Sequence, residues 1–553
     1  MATRGSSYDY IIVGSGSAGG VLANRLSADP DIRVLLLEAG RPDGSWTIRM
    51  PSAVPVNFYG GRYNWRYETE PQVHLDNRRI YVPRGKTLGG SSSINGMVYI
   101  RGHALDYDRW VEQGAKGWSY AEVLPYFRRG ESHASRADEY HGGDGPLGVV
   151  TTCQDNPLYE AFIEAGIEAG YARTEDCNGY RQEGFYRYDM NTAGGERAST
   201  GSAYIRPARQ RRNLTVETQA LATRITFDGS RASGVEYRHG GRRERARADR
   251  EVILCGGAVN SPQLLMLSGV GRADDLAGHG IPMVHDLPGV GQNLQDHVET
   301  FVEHECTRPI TLYKHMKPWN AMFIGLNWLL FRRGLGVTNH FEAGSFIRTR
   351  AGIKHPDIQH HFIPRLSRNP FKAGANRHGY RVHIGPMRPT SRGAITLASG
   401  DPTAAPRIDP NMMATERDRE DMRQGIKLTR EIMAQPALAP FRGAEIGPGP
   451  EITSDADLDA HIRSRAESAF HLCGSCKMGI DDMAVVDAEC RVRGVEGLRV
   501  VDASIIPSMV SGNLNAPVMM MGEKAADMIL GKVPVDPSNA PVYVADDWEA
   551  NQR

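Results

Sequence analysis

Residues 14–19 read Gly14-Ser15-Gly16-Ser17-Ala18-Gly19, a G-x-G-x-x-G loop with the spacing that grips a pyrophosphate. Gly14 permits a tight turn, Gly16 lets backbone approach the phosphates, and Gly19 lets helix and strand pack closely. Ser17 and Ala18 open the helix that follows, where free N–H groups and the positive dipole end face the anion. Glu38, with Ala39 beside it, lies about twenty residues on, placed to accept hydrogen bonds from a ribose diol. A second pair, Gly89-Gly90 before Ser91-Ser92-Ser93, lets backbone N–H groups approach a phosphate or a ring edge. Cys473-Gly474-Ser475-Cys476 has the spacing of a redox pair or of half a zinc site. It has no second C-x-x-C and no thioredoxin-like setting, so close packing is expected there, and no metal.

These residues need particular elements beneath them. Residues 8–13, YDYIIV, read as a buried strand ending at the glycine loop, and VLANRLS after it has helical apolar spacing. A second strand, 33–37, ends at Glu38. The glycine motif alone is weak. Strand, loop, helix, strand and terminal acid in order make it a dinucleotide site, without separating FAD from NAD.

At 553 residues the chain exceeds one ordinary core, and two intimately joined domains are expected. Forty per cent hydrophobic and 24% charged residues are globular values. Lys+Arg and Asp+Glu both total 65, so nothing in the charge favours nucleic acid as a partner. The basic stretch 242–250, broken by Glu244 and Asp249, reads as a solvated hairpin. Seven cysteines make no disulfide framework, and the odd count fits a reducing compartment. No apolar region precedes the first strand, so no signal peptide is expected, and the sequon at Asn213 carries no weight. No run approaches the roughly 18–20 apolar residues of a spanning helix.

Longer segments carry a family resemblance. Residues 84–102 (RGKTLGGSSSINGMVYIRG) and 256–271 (GGAVNSPQLLMLSGVG) resemble the two signature segments of the glucose–methanol–choline (GMC) oxidoreductases, which bind FAD. FHLCGSCKMG at 470–479, LRVVDASIIP at 498–507 and SGNLNAPVMMMGEKAADMI continue the likeness to about residue 530. The resemblance implies an α/β fold: a Rossmann-type FAD-binding domain (1–156, 199–300 and 468–553) interleaved with a substrate domain (157–198 and 301–467). The latter is built on an antiparallel sheet with helices. Composition agrees, with sheet-like stretches YRVHIGPM and AITLAS inside 301–467, and 415–434 reading as an exposed charged helix. The tail after Val533 reads as an extension over the surface.

By the same resemblance, Asn95, Gly96, Met97 and Val98 lie along the flavin and Trp65 is another flavin contact. Ala222 falls near the adenine, Asp502 and Ala503 beside the cofactor. The last helix begins near Asn515 and aims its positive end at the flavin N1/O2 region, favouring the negative charge that collects there on reduction. Ile94 stands where some relatives have a histidine covalently joined to FAD, so the FAD is expected to be non-covalent. Removing a hydride from a carbinol carbon requires a base near the hydroxyl and a donor to hold the developing alkoxide. His471 matches the family's catalytic histidine and Asn513 its partner. Many relatives have proline where this chain has Leu472.

The implied reaction is oxidation of a primary alcohol to an aldehyde by hydride transfer to flavin, with choline the expected substrate. A quaternary ammonium group has no donor and is held by aromatic faces and a carboxylate. Glu299, after the Asp-His of GQNLQDHVE, matches that carboxylate, Trp319 a cage tryptophan, and Phe470 replaces a tyrosine. A further cage tryptophan has no counterpart; Phe58 or Tyr59 stands nearest. Another aliphatic, aromatic or polyol alcohol, or a hydroxynitrile lyase-like flavoprotein, are the alternatives. Quinone, respiratory carrier and oxygen all stay open as electron acceptor. A cytoplasmic enzyme is expected, with peripheral association with the inner membrane left open.

Overall fold

The computed structural model describes residues 7–366 and 377–553; the first six residues, part of the N-terminal expectation above, lie outside them. Two seven-stranded sheets organise these residues. In the first, Leu214–Thr218, Val34–Glu38, Ser7–Val13, the end of Arg242–Leu254 and Leu498–Val500 run parallel in that order. Ile11, Ile12 and the Val34–Leu37 run are wholly buried, as expected of parallel strands covered on both faces. The first half of Arg242–Leu254 leaves this array and pairs antiparallel with Arg231–His239, which pairs with Ala220–Asp228. The basic stretch is therefore one arm of a hairpin: its arginines face solvent while Ala246 and Ala248 turn inward. Asn213 is occupied locally, its amide donating to the carbonyls of Ser27, Asp29 and Ile32.

Helix Ser17–Leu26 packs against helix Asn515–Ile529. Gly522 makes the close crossing possible, since a Cβ there would sit 3.0 Å from Ala18 O and from Val21 Cβ. That crossing brings the N-termini of both helices to one place.

The second sheet is antiparallel throughout, in the order Arg442–Gly447, Val298–Cys306, Gly379–Pro386, Ile358–Ile363, Ala343–Ile347, Gly184–Arg187. Helices Pro157–Glu168 and Glu416–Met433 cover it, joining Phe162, Met422 and Ile426 to a core with Phe185 and Phe362. The Glu416–Met433 helix is thus not simply exposed: its charges line one side while Met422, Ile426 and Ile432 are fully buried. The C-terminal tail runs from the first sheet's side, where Ser538 N donates to Ala121 O, to the second's, where Arg553 meets Glu431 at 2.9 Å. All seven cysteines are free thiols. Among the described residues no helix is long and apolar enough to cross a membrane.

Candidate active site

A cavity of about 720 Å³ lies between the two sheets, lined at one end by the first glycine loop and at the other by His471, Asn513 and Glu299. Gly14 has φ +99°, and a Cβ on it would lie 2.4 Å from Cys255 O, so only glycine serves. Gly16 faces space: its nearest neighbour to a Cβ would be 3.9 Å away. Ser17, Ala18, Glu38, Ala39 and Ala222 line the same end. Gly90 (φ +52°) brings the second glycine loop against the first, a Cβ there falling 2.7 Å from Gly16 Cα. Gly19 and Gly89 do not line the cavity. Gly19 sits one layer behind, where a Cβ would strike Gly14 O at 2.0 Å; Gly89 (φ +81°) turns the chain that delivers Gly90.

Glu38 Oε2 accepts from Ser15 N (3.1 Å) and Ser15 Oγ (2.6 Å), and Oε1 accepts from Gly40 N (2.7 Å). Burial pushes its carboxyl above the ordinary range despite these donors. The two helix N-termini meet here, Ser17 Oγ donating to Asn515 Oδ1 at 2.7 Å. Narrow glycine walls, two positive helix ends and a buried acid at the adenosine end fit an elongated, doubly phosphorylated dinucleotide.

Farther along, Trp65, Asn95, Gly96, Met97, Val98, Asp502, Ala503 and Asn515 line the wall. Arg197 holds Asn95, its Nη1 donating to Asn95 O and Oδ1, both at 2.8 Å. Asp502 fixes backbone: its carboxylate accepts from Gly257 N (2.9 Å), Ser261 Oγ (2.6 Å) and Ser504 N (2.8 Å).

His471 Nε2 is 3.2 Å from Asn513 Nδ2, and His471 Nδ1 is 3.0 Å from His297 Nδ1. His297 Nε2 lies 3.0 Å from Met387 O, a carbonyl that can only accept. His297 therefore carries its proton on Nε2 and presents a bare Nδ1. His471 must donate to it from Nδ1, which leaves the lone pair on His471 Nε2. The Asn513 amide is oriented in turn, because Gln359 Nε2 donates to Asn513 Oδ1 (3.3 Å). Burial, the neighbouring His297 and His361, and Arg84 hold His471 well below the usual histidine range; burial lowers His297 to about 4. Both rings are neutral near pH 7, the state a base requires.

The backbone under His471 is fixed as well. His471 N donates to Asp296 Oδ1 (2.8 Å), and Ser468 Oγ donates to the other oxygen. Burial raises Asp296 to about 6, against Ser468, Arg84 and these N–H groups. Phe470 adopts φ +68°, held by Ser468 Oγ on its N–H and by Arg84 on its carbonyl.

At the same end of the cavity Glu299 is 5% exposed, so it is a cavity carboxylate rather than a surface one. Its Oε2 lies 3.2 Å from His383 Nδ1. Phe58, Phe341 and Phe470 add aromatic surface, Phe58 meeting Phe470 edge to face at 5.5 Å. Of the two stand-ins, Phe58 lines the cavity and Tyr59 stacks on Tyr81 instead. Trp319 is corrected: it is 73% exposed on the outer face of helix Pro318–Phe331 and does not line the cavity. Cys473 and Cys476 are fully buried and burial pushes both thiols up, so neither is a thiolate; Cys473 pairs with Gln295 through both backbone groups.

Sequence reasoning missed His297, Gln359, His361, His383 and Arg197. His297 stood inside the segment that yielded Glu299, and an imidazole two residues before a matched acid was the available signal. The others sit on strands with no local signature.

Residues 8–299 and 389–522 match the N- and C-terminal models of the GMC oxidoreductase family. The chain belongs to the GMC oxidoreductases and is an FAD-dependent alcohol oxidoreductase. It is 52% identical to the oxygen-dependent choline dehydrogenase of Photobacterium profundum, over 99% of this chain and 97% of that one. With the mitochondrial choline dehydrogenase of Mus musculus it shares 54% identity, over 97% and 91% of the two chains. Among solved structures, pyridoxine 4-oxidase from Mesorbium loti superposes with a TM-score of 0.86 at 33% identity, covering 95% of this chain and 100% of that one. Formate oxidase from Aspergillus oryzae gives 0.90 at 27%, covering 96% and 99%.

Proposed function

We propose that the chain oxidises choline to betaine aldehyde. The observation that carries this reading is Glu299, a buried carboxylate in the wall of the cavity that also holds His471. A carboxylate in a partly dry pocket attracts a cation more strongly than it would in water. Phe58, Phe341 and Phe470 supply faces or edges around that space. The relatives named choline dehydrogenase support the same substrate.

FAD, when bound, supplies the acceptor for the hydride that leaves the carbinol carbon. His471 Nε2 takes the hydroxyl proton, so the departing hydride leaves an aldehyde. The Asn513 amide donates to the oxygen as negative charge develops there. Met387 O and His297 keep the His471 lone pair on the substrate-facing nitrogen. Glu299 and the aromatic wall hold the trimethylammonium end, so the hydroxyl end meets His471 and Asn513.

The test is anaerobic bleaching of the holoenzyme by a panel of alcohols. Choline should reduce the flavin at lower concentration than aliphatic, aromatic or polyol alcohols. A preference for an uncharged alcohol would reject the choline reading. Absence of bleaching by every alcohol would favour a lyase-like flavoprotein. Parallel assays with oxygen and with a quinone analogue identify the electron acceptor.

A further inference from the structure

Helix Pro318–Phe331, PWNAMFIGLNWLLF, presents its apolar side chains outward. Trp319, Met322, Phe323, Leu326 and Leu330 recur at the spacing of one helical face, and with Leu329 and Phe331 they are 44–73% exposed. The opposite face anchors the helix: Trp328 is buried with Met50 and Ala53, and Ile324 packs against them. Isolated exposed leucines are ordinary; a helix face carrying Trp319, Met322, Phe323, Leu326, Leu329 and Leu330 together is not.

The charge in the segment that carries this helix has one sign. Residues 307–341 contain Arg308, Lys314, Lys317, Arg332 and Arg333 and no Asp or Glu, in a chain with 65 charges of each sign. Arg308, Lys314, Lys317 and Arg333 are exposed, while Arg332 bonds Glu196 at 2.8 Å. A second copy docked by the same face would set these cations against each other with no acid in the segment to pair them. An anionic phospholipid surface complements both features, with headgroups opposite the cations and acyl chains against the apolar stripe. At 14 residues the helix is about 21 Å long, short of the roughly 20 residues a span needs, so it lies in the interface. Trp319, at the helix start, is the side-chain type that settles at the headgroup level.

We propose that this helix docks the enzyme on an anionic phospholipid bilayer. The anchoring face of this helix adjoins the active site. Met50 and Ala53 contact Trp328, while Ser52, Val54 and Pro55 of the same segment line the cavity. Docking therefore sets this helix between the membrane and one cavity wall. This proposal does not rest on the choline reading.

The test is co-sedimentation of the holoenzyme with phosphatidylcholine vesicles, with and without phosphatidylglycerol. The wild type should pellet with the phosphatidylglycerol vesicles and far less with the neutral ones. Phe323→Glu/Leu330→Glu, at exposed positions, should keep alcohol-dependent flavin bleaching while binding vesicles about tenfold or more weakly. Lys314→Glu/Lys317→Glu should abolish the preference for phosphatidylglycerol. Brominated lipid should quench a fluorescence component that Trp319→Phe removes. Wild type remaining in the supernatant with both vesicle types would overturn the proposal. So would unchanged binding by Phe323→Glu/Leu330→Glu, or a dimer which that variant abolishes in protein that binds no vesicles.

Discussion

His297 Nδ1 lies 3.0 Å from His471 Nδ1, and only one of those two nitrogens can carry the shared hydrogen. The choice is made at the far side of His297, where Nε2 donates to Met387 O at 3.0 Å. A backbone carbonyl thereby fixes which nitrogen of the His471 imidazole is bare. Asn513, oriented by Gln359, meets that bare nitrogen at 3.2 Å.

His471→Ala removes the proposed base and should slow flavin reduction by alcohol about 10²–10⁴-fold, the usual reach of a positioned general base. FAD should stay bound, since His471 is remote from the glycine loops. Stopped-flow reduction at the wild-type rate would show that another group takes the proton.

His297→Ala should leave His471 in place but free to protonate on either nitrogen. Flavin reduction should slow by about tenfold or more, the scale of losing one hydrogen bond to a charge-developing group, with substrate affinity little changed. A change confined to KM would mean that His297 shapes the pocket and does not set the tautomer.

Stability should fall on mild acidification. Burial lowers His297 to about 4 and His103 and His360 to about 3, against 6.5 for the ordinary group. The unfolded chain then binds more protons, so each such histidine costs about 1.4 kcal/mol per pH unit below 6.5 until its native value is reached. Asp296, raised to about 6, works in the opposite direction between its unfolded value near 3.8 and 6, as do other buried carboxyls such as Glu38 and Asp502. The histidines lowered by burial, His340 (about 3) and His461 (about 4) among them, outnumber these acids. His141, raised to about 9 by Asp176 and Glu131 against its burial, stabilises below 6.5 and loses that contribution as pH rises through 9. A thermal melt should therefore give its highest Tm near or just above pH 6.5. A Tm that rises steadily from 6.5 down to 4 would contradict these assignments.

Acid precipitation should release yellow FAD into the supernatant, because Ile94, buried at the cavity wall, has no atom that can bond to the flavin. Chromophore retained in the denatured pellet would mean a covalent link elsewhere. A bulky residue at Gly16 should give cofactor-poor protein, since its side chain would enter the space the pyrophosphate needs.

The parts of the site legible in sequence are those where backbone geometry restricts the residue type. Gly14 and Gly90 could be read because left-handed φ and close approach leave no other choice, and Gly16 because it stands open to the cavity in the G-x-G-x-x-G spacing. Glu38 could be read because the strand that carries it, Val34–Glu38, ends at a fixed distance from the loop. His471, Asn513 and Glu299 were reachable through long motifs. Trp319 failed because residues 307–341 hold no such motif, and an aromatic residue on an apolar helix carries no information about which way it points. His361 and His383 come to the cavity, and Gln359 to Asn513, only through the pairing of Ile358–Ile363 with Gly379–Pro386, a non-local event without a short signature. The Glu416–Met433 helix was misjudged because its many charges mask a buried stripe of Met422, Ile426 and Ile432.

The most direct test of the account replaces one oxygen of Glu299 by nitrogen. Anaerobic flavin reduction should be followed with choline and with its uncharged isostere 3,3-dimethylbutan-1-ol, in wild type and in Glu299→Gln. Choline should be the better substrate of the wild type. Glu299→Gln should weaken choline by about tenfold for each 1.4 kcal/mol of charge attraction lost, while reduction by the isostere changes much less. Equal weakening of both alcohols, or a wild type that prefers the isostere, would contradict the account and return the pocket to an uncharged substrate.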